Sequence, residues 1–123
     1  MDSNWSQNPP IYQQLKDRTI ASILSGQLKE GDLLPSVRQV AIEFQINPLT
    51  VSKAYQMLVD EDLVHSERGV GMRIKSGAYQ QLLEQERSQF LTHEWPEIIA
   101  RMHRLNISIE DLIGSDDKKA LNS

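Results

Sequence analysis

Residues 34–74 read LPSVRQVAIEFQINPLTVSKAYQMLVDEDLVHSERGVGMRI, and their pattern decides the fold. Ser36, following Pro35, has Gln39 three residues on, the spacing of a capping box. Val37, Val40, Ala41 and Phe44 then fall at i, i+3, i+4 and i+7, which leaves Arg38, Gln39 and Glu43 outward. Asn47 suits an N-cap and Pro48 a first helical position. Val51, Ala54, Tyr55, Leu58 and Val59 repeat the apolar spacing, while Leu49, Thr50, Ser52, Lys53 and Gln56 take the opposite face. Two short amphipathic helices joined by Gln45-Ile46-Asn47 make a helix-turn-helix. LVHSE and MRIK follow as short strands, connected by Arg68-Gly69-Val70-Gly71, whose glycines supply positive φ. The expected fold is mainly α with a small β-hairpin: a winged helix-turn-helix, a frame for placing one helix in a DNA groove.

Upstream, Pro9-Pro10 opens the run IYQQLKDRTIASILSG, with Tyr12, Leu15, Thr19 and Ile23 on one face and Ile11, Ile20 and Leu24 widening it. Gly26 is placed to end this helix, and KEGD at 29–32 reads as a turn. Downstream of Gly77 the pattern is helical again, through Tyr79, Leu82, Leu83 and Phe90, with Pro96 expected to kink or restart the helix near Trp95. Ile98, Ile99, Met102 and Leu105 extend an apolar face; Asn106 suits a left-handed C-terminus. Ser108 and Asp111 resemble another helix start, before Ile109, Leu112 and Ile113. The expected organisation is a DNA-binding domain at 9–76, a short helical dimerisation region at 77–114 and a disordered tail at 115–123, after a loose polar start that holds Trp5.

Composition bounds the chemistry. The chain has 123 residues, enough for one compact domain and a small appendage but not for a sensor domain of ordinary size as well. With no cysteine, disulfides, thiolate metal sites and cysteine nucleophiles are excluded. No apolar run approaches the roughly 18 residues of a membrane span, and the start lacks the regions of a signal peptide, so a cytoplasmic protein is expected. The net charge of −4 argues mildly against nucleic acid. Location weighs more than the sum: Arg38, Lys53, Arg68, Arg73 and Lys75 lie in the helix-turn-helix and hairpin, and Asp60-Glu61-Asp62 lies at the far end of the second helix.

Four features resemble the N-terminal domain of GntR-family bacterial transcription regulators: PIYQQLKDRTIASILSGQL, GDLLPSVRQVA, NPLTVSKAYQML and ERGVGMRI. They cover just over half of the chain. LTHEWPEIIARMHRLNISIEDLI is similar to the small dimerisation region of the YtrA-like subfamily. The resemblance implies a homodimer on double-stranded DNA with a palindromic operator, a repressor role and, by analogy, control of a transporter operon. It implies that Arg38 contacts DNA, that Thr50, Ser52 and Lys53 face base edges and phosphates, and that wing-tip Gly69 lets backbone into the minor groove beside Arg68. Ser36, Leu49, Gln56, Val70 and Gly71 complete the expected DNA surface. Leu82, Leu83, Phe90, Trp95, Ile98, Ile99, Met102, Leu105 and Leu112 are the expected dimer surface. One departure stands out: positions 48 and 49 are Pro and Leu, where other subfamilies often place polar or basic base-reading residues. Leu49 is suited instead to a thymine methyl.

Plainer readings exist beside these. Arg38 and Lys53 are also ordinary solvated helix charges, and Thr50 and Ser52 also suit local backbone hydrogen bonds. The Tyr55 ring fits the core, with its hydroxyl directed at a phosphate. His65, His93 and His103 match no ligand spacing, so no metal or other cofactor is expected. No catalytic constellation stands out, so an enzyme is not expected. Two rival functions remain open: a winged-helix protein-interaction module without DNA, and a regulator gated by an unknown small ligand at the C-terminal helices.

Overall fold

The structure, a computed structural model, describes residues 9–114; the polar start with Trp5 and the tail at 115–123 lie outside the described residues. The chain divides into two compact units between Glu84 and Gln85, and each is described by itself.

In the first unit, α1 (Ile11–Ser25) begins behind Pro10 and ends where Gly26 adopts φ +87°. Proline is tolerated there because the first N–H groups of a helix have no internal partner. Leu15 and Ile23 are buried, with Tyr12, Ile20 and Leu24 partly so; Ile11 lies outside this face and is exposed. Helix α2 (Val37–Phe44) starts on the expected capping box: Ser36 Oγ accepts from Gln39 N–H at 3.0 Å, and Gln39 Oε1 accepts from Ser36 N–H at 2.9 Å. Ser36→Ala is expected to destabilise the unit by about 1 kcal/mol, read as a lower urea midpoint with unchanged m. An unchanged midpoint would mean that the box adds nothing.

Gln45 closes α2 in the left-handed conformation, φ +55°, and Ile46 drops into the core. Asn47 then caps α3 (Pro48–Asp60) by accepting from Leu49 N–H at 2.9 Å. Val51, Ala54, Tyr55 and Leu58 are buried, so α3 is packed along one whole face against α1, α2 and the strand that follows.

That strand, β1 (Val64–Glu67), pairs antiparallel with β2 (Gly71–Ile74), in the register Val64↔Ile74 to Glu67↔Gly71. Gly71 therefore belongs to the strand, and the connection is Arg68-Gly69-Val70. The other edge of β2 is covered too. Gly31 N–H donates to Ile74 O, Ile74 N–H to Asp32 O and Leu34 N–H to Met72 O, at 2.8–2.9 Å, with a bridge between Leu33 and Arg73. The segment read as a turn at 29–32 thus runs into a short stretch bonded along that edge of β2.

Helix α4 (Ala78–Gln89) sends Ala78 and Leu82 into the first unit's core, each 1% exposed. This corrects the expectation for Leu82: it is consumed by its own domain and has no surface to offer a partner.

In the second unit, Phe90–Glu94 forms a π-helical turn that runs into α5 (Trp95–Arg104). Pro96 has no N–H and its ring clashes with the carbonyl one α-turn back. The wider turn, in which Trp95 N–H donates to Phe90 O, absorbs that conflict without breaking the helix. Asn106 turns the chain at φ +56°, and Ser108 and Asp111 cap the short α6 (Ile109–Leu112) reciprocally. Met102 is buried within this unit at 8% exposure, so it too packs inward rather than presenting a free face. Phe90, Leu91, Ile98, Leu105, Ile109 and Leu112 remain exposed, and Trp95 and Ile99 are half-buried. Among the described residues no helix is long and apolar enough to cross a membrane.

Candidate nucleic-acid interface

The candidate site of the first unit draws on three elements. Helix α3 shows the face opposite its buried stripe: Leu49 is 77% exposed, Ser52, Lys53 and Gln56 are exposed, and Thr50 is half-buried. The Thr50 and Ser52 hydroxyls have no hydrogen-bond partner among the described residues, so the plainer reading, local backbone bonding, does not hold here. They stand unused on the first turns of a helix whose far side is fixed in the core. Gln56 differs, since its amide donates to Asp60 at 3.0 Å further along the helix.

Arg38, in the first turn of α2, is exposed, and its guanidinium has no partner among the described residues. The capping box beside it fixes the backbone from which it projects.

The wing is the third element. Arg68, Gly69 and Val70 form its tip, all exposed, with Gly69 at φ +78°. A side chain at that φ is strained, since the Cβ of an L-residue crowds the backbone there. Arg68 has no partner among the described residues. Arg73 and Lys75 differ from it, because both are spent within the domain. Arg73 forms a bidentate pair with Glu67 at 2.6 and 2.9 Å and also donates to Gly31 O. Lys75 pairs with Asp62, and Lys16 with Glu61. Each of these pairs takes up one acid and one base, so the net charge is unchanged, while Arg38 and Arg68 keep guanidinium groups with no partner among the described residues.

The Arg73 hydrogen bond, assisted by His65, holds the Glu67 carboxyl below its ordinary value near 4.5. A lowered folded-state value means that the wing gains stability fully above pH 4.5 and loses it as pH falls through that lower value. An NMR titration of Glu67 is expected to show a midpoint under 4.5; a midpoint at or above it would contradict the pairing.

Tyr55 corrects one expectation. Its hydroxyl donates to Pro35 O at 2.6 Å, inside the domain, so it is not available to a phosphate. Burial pushes its pKa up to about 12. The bond ties α3 to the turn before α2, which sets the two helices against each other. A second contact was not legible in the sequence: the Lys53 ammonium lies 4.0 Å from the centroid of the Tyr12 ring on α1.

Comparison with known proteins fits this geometry. The profile of "Bacterial regulatory proteins, gntR family" matches residues 11–74, the span from the start of α1 to the end of β2. The chain is 35% identical over 103 residues to the HTH-type transcriptional repressor YtrA of Bacillus subtilis, covering 84% of this chain and 78% of that protein. Among solved structures it is similar to a transcriptional regulator from Oenococcus oeni, with TM-score 0.73, 30% identity, and 96% and 92% of the two chains covered. It is also similar to YtrA from Sulfolobus acidocaldarius, a GntR-family transcription factor, with TM-score 0.58, 36% identity, and 73% and 95% covered.

Proposed function

Because the chain belongs to the GntR family of bacterial regulatory proteins, on its YtrA-like branch, we propose that it represses transcription as a cytoplasmic homodimer on a palindromic operator. It is a DNA-binding transcription regulator, not an enzyme. The observation that carries the site is a set of polar groups with no partner among the described residues, carried on packed elements: Arg38 on α2, Thr50 and Ser52 on α3, and Arg68 at the wing. In this reading α3 enters the major groove, where Thr50, Ser52 and Lys53 meet base edges and phosphates and exposed Leu49 meets a thymine methyl. Ser36 and Gln56 flank that contact, and Gly69, Val70 and Gly71 bring the wing backbone to the adjacent minor groove with Arg68.

The dimer rests on the second unit. Phe90, Ile98, Leu105 and Leu112 are exposed large apolar side chains within a short stretch, with Trp95 and Ile99 half-buried among them in sequence; Leu83, half-buried, belongs to the end of the first unit. Open apolar side chains of this kind support an interface with another chain. A single winged domain also offers too little contact for tight specific binding. Selection of bound duplexes from a random pool tests the reading. It should return an inverted repeat; a directly read, non-repeated site would remove the two-fold dimer.

A ligand-gated form of the same function is favoured by one feature, an open cavity of about 590 Å³ between α5 and α6, lined by Met102, His103, Ile107 and Asp111. A small-molecule thermal-shift screen, followed by operator release with any stabilising compound, tests it.

A further inference from the structure

The contact between Lys53 and Tyr12 has a consequence for recognition. Lys53 is exposed near the start of α3, and an unrestrained lysine there would spread its charge over many rotamers. Its ammonium instead stands over the Tyr12 ring, 4.0 Å from the centroid. Tyr12 sits in the first turn of α1, half-buried and packed on the core, so the ring is a fixed platform. The negative face of the ring attracts a cation but accepts few of its hydrogen bonds, which leaves ammonium protons free for an anionic oxygen. The Tyr12 hydroxyl has no hydrogen-bond partner among the described residues. The position therefore uses the ring, not the hydroxyl.

We propose that Tyr12 is a positioning residue for DNA binding: its ring holds the Lys53 ammonium at the edge of α3, aimed at a DNA phosphate. This rests on the reading that α3 meets DNA. A phosphate, rather than a base edge, is the matching partner. The lysine head is a compact, strongly hydrated point charge with no planar fork for bidentate base contact. Fixing it beforehand lowers the ordering cost that each phosphate contact carries.

The test is a double-mutant cycle of Tyr12→Leu and Lys53→Met, with Tyr12→Phe as the conservative variant, on a duplex selected by the wild-type protein. Tyr12→Leu should weaken binding about two- to fivefold, the range of an exposed cation–π contact. It should also reduce the steepness of the salt dependence by up to about 0.9 per protomer, one phosphate's share. Tyr12→Phe should restore both. In the Lys53→Met background, Tyr12→Leu should change neither. Equal losses with and without Lys53 would show a merely structural ring and overturn the proposal, as would an unaltered salt slope in Tyr12→Leu. NMR gives a check on the folded wild type: the Lys53 ε-methylene should be shifted upfield by the ring, and an ordinary shift would remove the platform. Failure of the wild-type protein to enrich any duplex is a separate outcome, and it would sink the DNA reading beneath the proposal.

Discussion

Arg38→Ala is expected to weaken operator binding by about 5- to 150-fold per half-site, the worth of one good bidentate contact, while leaving the fold intact. The size of the loss follows from what Arg38 does not do. Its guanidinium is exposed and has no partner among the described residues, so removing it breaks nothing inside the domain. Surface substitutions of that kind change stability by no more than about 0.5 kcal/mol. The backbone it springs from is held by the Ser36–Gln39 box and by the hydroxyl of Tyr55 on Pro35, so the side chain is presented from a fixed point. Titrating the variant against the selected operator and a scrambled duplex separates two roles. If Arg38 reads a guanine edge, the operator loses far more than the scrambled duplex. A phosphate contact would lower both together and flatten the salt dependence. Undiminished affinity for the operator would remove α2 from the interface.

The second large effect concerns the frame. Leu58→Ala is expected to cost about 2–5 kcal/mol, the range for a buried leucine that leaves a cavity. Leu58 is fully buried at 0% exposure on the inner face of α3, the helix that packs on α1, α2 and β1. Its carbonyl also accepts from Leu63 N–H at 3.0 Å where the chain leaves for the wing. Domains of this size are stable by only about 5–15 kcal/mol, so the loss is a large fraction of the whole. Calorimetry should show the melting temperature lowered by roughly 8 °C or more. A shift of only a degree or two would mean that the core repacks around the gap.

The helices were legible because their signals are local. The Ser36–Gln39 and Ser108–Asp111 boxes, the Asn47 cap before Pro48 and the i, i+3, i+4 stripes each lie within a turn or two of sequence, and the structure forms all of them. The hairpin was legible from its glycines, although Gly71 joined the strand. What escaped the sequence depends on partners far along the chain. Leu33 bridges Arg73, Tyr55 reaches Pro35, and Lys53 meets Tyr12; no periodicity announces such pairs. The same limit explains Leu82 and Met102. An apolar helical stripe shows that a face is buried but not against what, and both residues were taken up within the units that carry them. Among the cations, Arg68, Arg73 and Lys75 look alike in sequence. Only the register that sets Glu67 near Arg73, and the fold that brings Asp62 to Lys75, leave Arg68 as the one of the three without a partner among the described residues.

The proposed homodimer would set two copies of α3 in successive major grooves with the wings beside them. Footprinting on a selected operator tests it most directly, with a guanine N7 probe for the major groove and hydroxyl radicals for the backbone and minor groove. Two symmetric patches of N7 protection, centred about 10 base pairs or a multiple of that apart, with minor-groove protection adjoining each, are the expected result. A single asymmetric patch, or protection confined to the minor groove, would contradict it.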